Sequence, residues 1–171
     1  IMHQNIIRMR KRLFLLLLAF ISLCQMNAVE RTKLNFNGGW LLKVGDFPGA
    51  EQANYKDAGW KQITLPRAFN EKEAFKVSIE HLSDTITWYR KHFHIQEVGD
   101  RKYFIEFEGV RFGADIWLNG KKVGYTENGV MASGFDLTPH IIKGENVIAV
   151  RVDNSWNYRE RTSGQRFQWN D

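Results

Sequence analysis

The sequence predicts an all-β chain, an antiparallel β-sandwich or jelly roll preceded by an export signal. Three observations predict it. From Leu34 onward, aromatic and β-branched segments alternate with Gly, Asn and Asp breaks at short intervals. No long stretch carries a 3.6-residue apolar period, and prolines number only three. Asn119–Gly120 joins two strand-like segments in the manner of a type I′ hairpin, whose two central residues both need positive φ.

Each element follows from its own pattern. Trp40–Val44, Gln62–Leu65 and Gly134–Leu137 are short strands. Thr85–Ile95 is a long one. Lys102–Glu108 alternates by twos, with Tyr103, Ile105 and Phe107 on one face and Lys102, Phe104, Glu106 and Glu108 on the other. The hairpin runs Ala114–Leu118, Asn119–Gly120, Lys121–Tyr125. Asn146–Val152 is the last strand, with Gly144 as the turn before it. Asp136 to Ile142 predicts one helical turn, capped by Asp136 or Thr138 and with Pro139 at its first position. Seven or eight strands without crossover helices close by packing face to face. Asn154 to Asp171 mixes polar and aromatic residues without a period and reads as a long loop at one end of the sandwich.

The 171 residues suit one domain plus a signal, and fall short of the roughly 250 that an α/β barrel needs. Apolar residues make up 43 % of the chain, enough for a packed core. The net charge of +5 is local. Arg8, Arg10, Lys11 and Arg12 are four of the 24 cations, and without them 20 remain against 19 anions. A near-neutral domain has no nucleic-acid footprint.

Residues 1–28 read as a signal peptide, with a cationic stretch, an apolar run from Leu13 to Ile21, and small or polar residues up to Ala28. Met9 opens a cleaner signal and is an alternative start. The run is too short for a membrane span, which needs about 20 residues. Export to the periplasm or the medium is expected. Cys24 is the only cysteine, and Leu23 before it is too bulky for a lipoprotein site. Residues 29–171 form the expected domain, without a thiol nucleophile, disulfide or thiolate metal site.

Candidate chemistry is sparse. Glu106 and Glu108 are carboxylates on one strand face, as are many wet-side acids of antiparallel sheets. Glu71 and Glu73 sit in a polar loop stretch. His92 and His94 share a face, but no third ligand is near in sequence and Arg90 beside them repels a cation, so no metal site is expected. Ser133 and Ser155 lack a nucleophile elbow. Gly38–Gly39 precedes a strand rather than a helix, so it is no phosphate loop. Trp40, Trp60, Trp88 and Trp117 lie in strand contexts and are expected in the core. Trp156, Tyr158, Phe167 and Trp169 lie among Asp153, Asn154, Arg159 and Arg166. That mixture suits either a ligand rim or a domain interface.

The ordered motifs carry a resemblance. They are Leu65–Pro66 with Phe69–Asn70, then Trp88–Tyr89–Arg90–Lys91, then Phe107–Glu108–Gly109–Val110. Next come Trp117–Leu118–Asn119–Gly120, Val123–Gly124 and Gly134–Phe135–Asp136–Leu137–Thr138. Gly144–Glu145–Asn146 and Val150–Arg151–Val152–Asp153–Asn154 close the series. In this order they resemble the N-terminal sugar-binding jelly roll of glycoside hydrolase family 2, the β-galactosidase, β-glucuronidase and β-mannosidase group. The resemblance implies a galactose-binding-domain-like sandwich within a longer enzyme that retains configuration while hydrolysing β-glycosides.

It implies partners too: an immunoglobulin-like domain and a barrel downstream in the same chain, with two barrel glutamates beyond Asp171 as acid/base and nucleophile. No catalytic residue and no cofactor is then expected in residues 29–171. The domain would contribute to the wall of the substrate pocket. Asp153 and Asn154 match such a contact, and Asn70 is a second candidate. Trp156 and Arg159 in the tail complete the candidate set. Asp153 and Asn154 read equally well as a turn. Ser163–Gly164 is followed by Gln165 where many members have isoleucine, the mark of a divergent subgroup. A β-galactoside is the expected substrate. A freestanding carbohydrate-binding module and a purely structural interface domain are the competing readings.

Overall fold

The computed structural model describes residues 31–69, 85–110, 113–127 and 131–154. The chain divides into two compact units, 1–35 and 36–171. In the first, described residues 31–35 are exposed and have no regular secondary structure. In the second, eight strands form two antiparallel sheets.

The strands are β1 (Trp40–Val44), β2 (Lys61–Ile63), β3 (Ile86–Ile95), β4 (Phe104–Phe107), β5 (Gly113–Leu118), β6 (Lys121–Thr126), β7 (Ser133–Asp136) and β8 (Gly144–Asp153). Six make one sheet in the order β2-β1-β3-β8-β5-β6, and β4 pairs with β7 in the other. The sandwich expectation holds, and no helix occurs among the described residues. The division into six strands and two was not foreseen.

The long strand β8 explains the larger sheet. It pairs with β3 from Ile86↔Asp153 to Ile95↔Gly144, and with β5 from Gly113↔Asp153 to Leu118↔Ile148. Its middle, Asn146 to Val150, is buried throughout. A strand covered on both faces reads as a continuous apolar run instead of alternating, and Val147–Ile148–Ala149–Val150 is such a run. On the inner face, Ile148 and Val150 join Trp40, Leu42, Ile63, Ala114, Ile116 and Leu118, packed with Ile105, Leu137 and Ile141. Each fully buried Ile or Leu there contributes about 1.5–3 kcal/mol. On the outer face, Ala149 lies with Trp60, Trp88 and Ala50 under residues 46–60.

The Asn-Gly hairpin is present as expected. Asn119 has φ 52° and Gly120 φ 79°, the paired positive values of a type I′ turn. The ladder then shifts register between Ile116 and Trp117, so Val123 is an extra residue on β6. On β4, Ile105 is buried and Phe104 is 67 % exposed, as the alternation requires. Trp40, Trp60 and Trp88 are in the core, whereas Trp117 is half-buried and stacks on Trp88 at 5.5 Å between centroids.

Three local expectations change. The second strand is Lys61–Ile63, not Gln62–Leu65, because Leu65 turns away to donate its N–H to Asn37 O at 3.0 Å. Gly144 lies within β8 opposite Ile95, with φ +97°, and does not precede the strand. The helical turn after Asp136 shrinks to a single loop in which His140 and Ile141 both donate to Leu137 O at 3.0 Å. Asp136 Oδ1 caps it by accepting from Thr138 N at 2.8 Å, while the Thr138 hydroxyl accepts from Tyr103 N at 2.9 Å and ties it to the β4 side.

An amide pair, Asn146 buried and Asn119 half-buried, holds the hairpin to β8. Asn146 is 0 % exposed. Its Oδ1 accepts from Ile142 N at 2.9 Å and from Asn119 Nδ2 at 2.8 Å. Its Nδ2 donates to Ile142 O at 2.7 Å and Gly144 O at 3.1 Å. Asn119 Oδ1 in turn accepts from Val147 N at 2.9 Å. Every polar atom of the Asn146 amide is matched, which is what makes a buried amide tolerable.

Candidate functional site

The end of the sandwich at which β8 finishes holds the consecutive candidates Asp153 and Asn154. Asp153 is still inside the sheet, opposite Ile86 on one side and Gly113 on the other. Asn154 N continues the ladder by donating to Thr85 O at 3.0 Å. Both residues are buried, Asp153 9 % exposed and Asn154 5 %. The turn reading of Asp153 therefore gives way to a strand-end reading: its backbone is paired on both sides.

Strand alternation puts Arg151 on the same face as Asp153, one row deeper. Arg151 NH1 donates to Asp153 Oδ2 at 3.2 Å. The same guanidinium forks onto Asp46, with Nε 3.0 Å from Oδ1 and NH2 2.8 Å from Oδ2. Trp88 Nε1 adds a donation to Asp46 Oδ1 at 3.1 Å. Asp46 reaches this position because Gly45, at φ +117°, bends the chain after β1 while its N–H still donates to Ile86 O at 2.8 Å. The Arg151 hydrogen bond holds the Asp46 carboxyl below its ordinary value; burial opposes this and the Trp88 donation assists. The hydrogen bond to Asp46 likewise raises Arg151, against burial. The result is a fixed row of carboxylate, guanidinium and carboxylate at the rim, backed by an indole.

Of the sequence candidates, the structure describes only Asp153 and Asn154, consecutive residues at the end of β8. Asn70, Trp156 and Arg159 lie outside the described residues, as do the signal segment and Ser155. Leu65 and Phe69, just before Asn70, pack against the inner core. Asp46 and Arg151 were missed as partners of Asp153. The one signal for Arg151 was its spacing of two from Asp153. Nothing in the sequence pointed to Asp46, 105 residues from Arg151.

A second polar cluster lies on the outer face. Arg90 is fully buried; its Nε donates to Asp57 Oδ2 at 2.6 Å and its NH1 donates to Ala50 O and Gln52 O. His92 bridges two acids, Nε2 to Asp57 Oδ2 at 2.9 Å and Nδ1 to Glu145 Oε1 at 2.8 Å. Burial alone would raise the Asp57 carboxyl, but the donations from Arg90 and His92 outweigh it and lower it. Burial alone would lower His92, but its bonds to Asp57 and Glu145 raise it. Both His92 nitrogens are thus committed to carboxylates, Asp57 of the 46–60 segment and Glu145 of the neighbouring strand β8. Among the described residues, no group of His, Cys, Asp and Glu is disposed to hold a metal ion. Glu106 and Glu108 are exposed, and the Ser133 hydroxyl pairs with that of Thr126 at 3.0 Å. No described helix is long and apolar enough to cross a membrane.

A β-sandwich of this topology, with a polar strand end, has the architecture of a galactose-binding-domain-like module. Comparison with known proteins takes this further. The family model for the glycosyl hydrolase 2 galactose-binding domain-like group matches residues 30–170, and the chain belongs to that glycoside hydrolase family. A beta-glucuronidase of Formosa agariphila is 41 % identical over 134 residues, spanning 73 % of this chain and 14 % of that protein. Beta-galactosidase BoGH2A of Bacteroides ovatus is 32 % identical over 133 residues, spanning 73 % and 16 %. Among solved structures, a family 2 beta-glucuronidase superposes with TM-score 0.64 at 37 % identity, over 74 % of this chain and 15 % of that one. A Bacteroides uniformis beta-glucuronidase gives TM-score 0.67 at 28 % identity, over 73 % and 15 %. The chain thus spans about one-seventh of the length of the relatives it matches.

Proposed function

We propose that this chain is the N-terminal, non-catalytic domain of an exported family 2 glycoside hydrolase that cleaves β-glycosides with retention. Its role is to supply part of the substrate-pocket wall and a packing surface for the downstream immunoglobulin-like and barrel domains. The observation that carries the reading is the strand-end pair Asp153 and Asn154, held at the rim of a module that makes up only a small part of its family 2 relatives. Ordered Asp and Asn side chains at such a rim suit hydrogen bonding to sugar hydroxyls. Asn70, Trp156 and Arg159 remain part of the proposed contact set. The acid/base and nucleophile belong to the barrel, so the domain needs no cofactor of its own.

Two sugars fit. A β-glucuronoside is favoured by the relatives at 41 % and 37 % identity, which are named as glucuronidases. The β-galactoside expected from the sequence is favoured by the Bacteroides ovatus relative at 32 %. Assay of the full-length enzyme on nitrophenyl β-glucuronide and β-galactoside decides between them. Turnover of one by the full-length enzyme, and of neither by residues 29–171 alone, is expected. Turnover by the domain alone would overturn the non-catalytic assignment. Tight sugar binding by the domain alone would favour a freestanding module, because a pocket wall supplies few of the contacts.

A further inference from the structure

We propose that Arg151 is the positioning residue for Asp153, and that Asp46 holds Arg151 in place to do so. The inference rests on the reading of Asp153 as a sugar contact. It extends that reading to two residues that touch no substrate themselves.

The geometry has three parts. First, the guanidinium is already fixed before it meets Asp153. Its fork on Asp46 uses Nε and NH2, at 3.0 and 2.8 Å, and a two-point fork sets the plane of the group as well as its position. Trp88 Nε1, 3.1 Å from Asp46 Oδ1, anchors the acid in turn. Trp88 itself is buried and stacks on Trp117. Second, NH1 is the remaining arm of the fork, and it meets Asp153 Oδ2 at 3.2 Å. One carboxylate oxygen is therefore oriented by a group whose own position is set by the loop after β1. Third, the row joins three elements that the sugar-binding end depends on: the β1 loop, β3 through Trp88, and the end of β8. A shift of the 46–60 segment would be felt at Asp153 through this row.

A positioned acceptor binds more tightly than a mobile one because less side-chain freedom is lost when the ligand arrives. Arg151 should therefore act on substrate affinity, and act only through Asp153.

The test is a double-mutant cycle in the full-length enzyme, with steady-state kinetics on whichever nitrophenyl glycoside is turned over. Arg151→Met is expected to raise KM about tenfold, equivalent to one lost charge-assisted hydrogen bond, with kcat changed much less. Arg151→Lys, which keeps the charge but loses the fork, is expected to fall between the two. In an Asp153→Ala background, Arg151→Met should add little further effect on KM. Full additivity of the two changes would overturn the proposal, as would an unchanged KM in Arg151→Met. If Arg151→Met does not fold, Asp46→Asn breaks one side of the fork without touching Asp153. It should raise KM several-fold by the same route, and an unchanged KM would overturn the proposal. Failure of the underlying reading looks different: Asp153→Ala alone would then leave KM unchanged.

Discussion

Asp57 and Arg90 meet at 2.6 Å on the outer face of the large sheet, 33 residues apart in the chain, with the arginine wholly buried. Arg90 also donates to Ala50 O and Gln52 O and lies 5.5 Å from the centre of the Tyr55 ring. One cation thus gathers the carbonyls, the acid and an aromatic of a segment that has no strand of its own. Removing the acid leaves the charge buried and uncompensated. Asp57→Ala is expected to cost about 3–5 kcal/mol in urea unfolding. Replacing both partners by apolar residues of similar volume should cost less than that single change, and the two midpoints compared directly check it.

The same cluster sets a pH dependence. His92 is raised above its ordinary 6.5, so its contribution is complete below 6.5 and is lost as pH rises through the folded value above it. Asp57 is lowered below 3.8, so its contribution is present above 3.8 and is lost as pH falls through the lower folded value. Stability from the cluster should form a plateau between 3.8 and 6.5. His92→Gln should flatten the alkaline decline and shrink the acid limb only in part, because Arg90 still lowers Asp57 and because Asp46 and Asp136 also contribute to it. Thermal unfolding of both proteins at a series of pH values checks this. Parallel curves would exclude His92 as the source.

The amide pair of Asn119 and Asn146 gives a third expectation. Asn146→Ala strands Ile142 N–H, Ile142 C=O and Gly144 C=O in a region where the side chain was fully buried. The expected loss is about 1–3 kcal/mol, because the stranded groups are part-buried and water can reach some of them. Urea unfolding measures it, and a loss under 1 kcal/mol would mean that water replaces the amide without cost.

Gly124 lies on β6 where an added Cβ would run into the Phe135 ring of β7. Gly124→Ala should destabilise by about 1–3 kcal/mol through overpacking. Phe135→Leu in the same chain should recover part of it. Additive losses in the double variant would show that the ring is not the cause.

Local chemistry was legible in the sequence, and long-range pairing was not. Asn119–Gly120 announced its own turn because few residues accept two consecutive positive φ values. Alternation on β4 put Ile105 inside and Phe104 outside. The extra residue at Val123 left no trace, because a bulge depends on the partner strand. Arg90 read as a charge that repels a metal; that it is buried is decided by Asp57, which sequence spacing does not reveal. The candidate site divided the same way. Asp153 and Asn154 stand out as candidates through the family resemblance, while the Asp46 that holds Arg151 next to Asp153 became visible only through the fold of β1 against β3.

The most direct measurement is the KM of full-length enzyme carrying Asp153→Ala, with its unfolding midpoint as a control. The account predicts a KM at least about tenfold higher, from the loss of a hydrogen bond to a charged acceptor, with the midpoint little changed. Wild-type KM and kcat in a folded Asp153→Ala enzyme would contradict it, and would remove the substrate role proposed for Asp153.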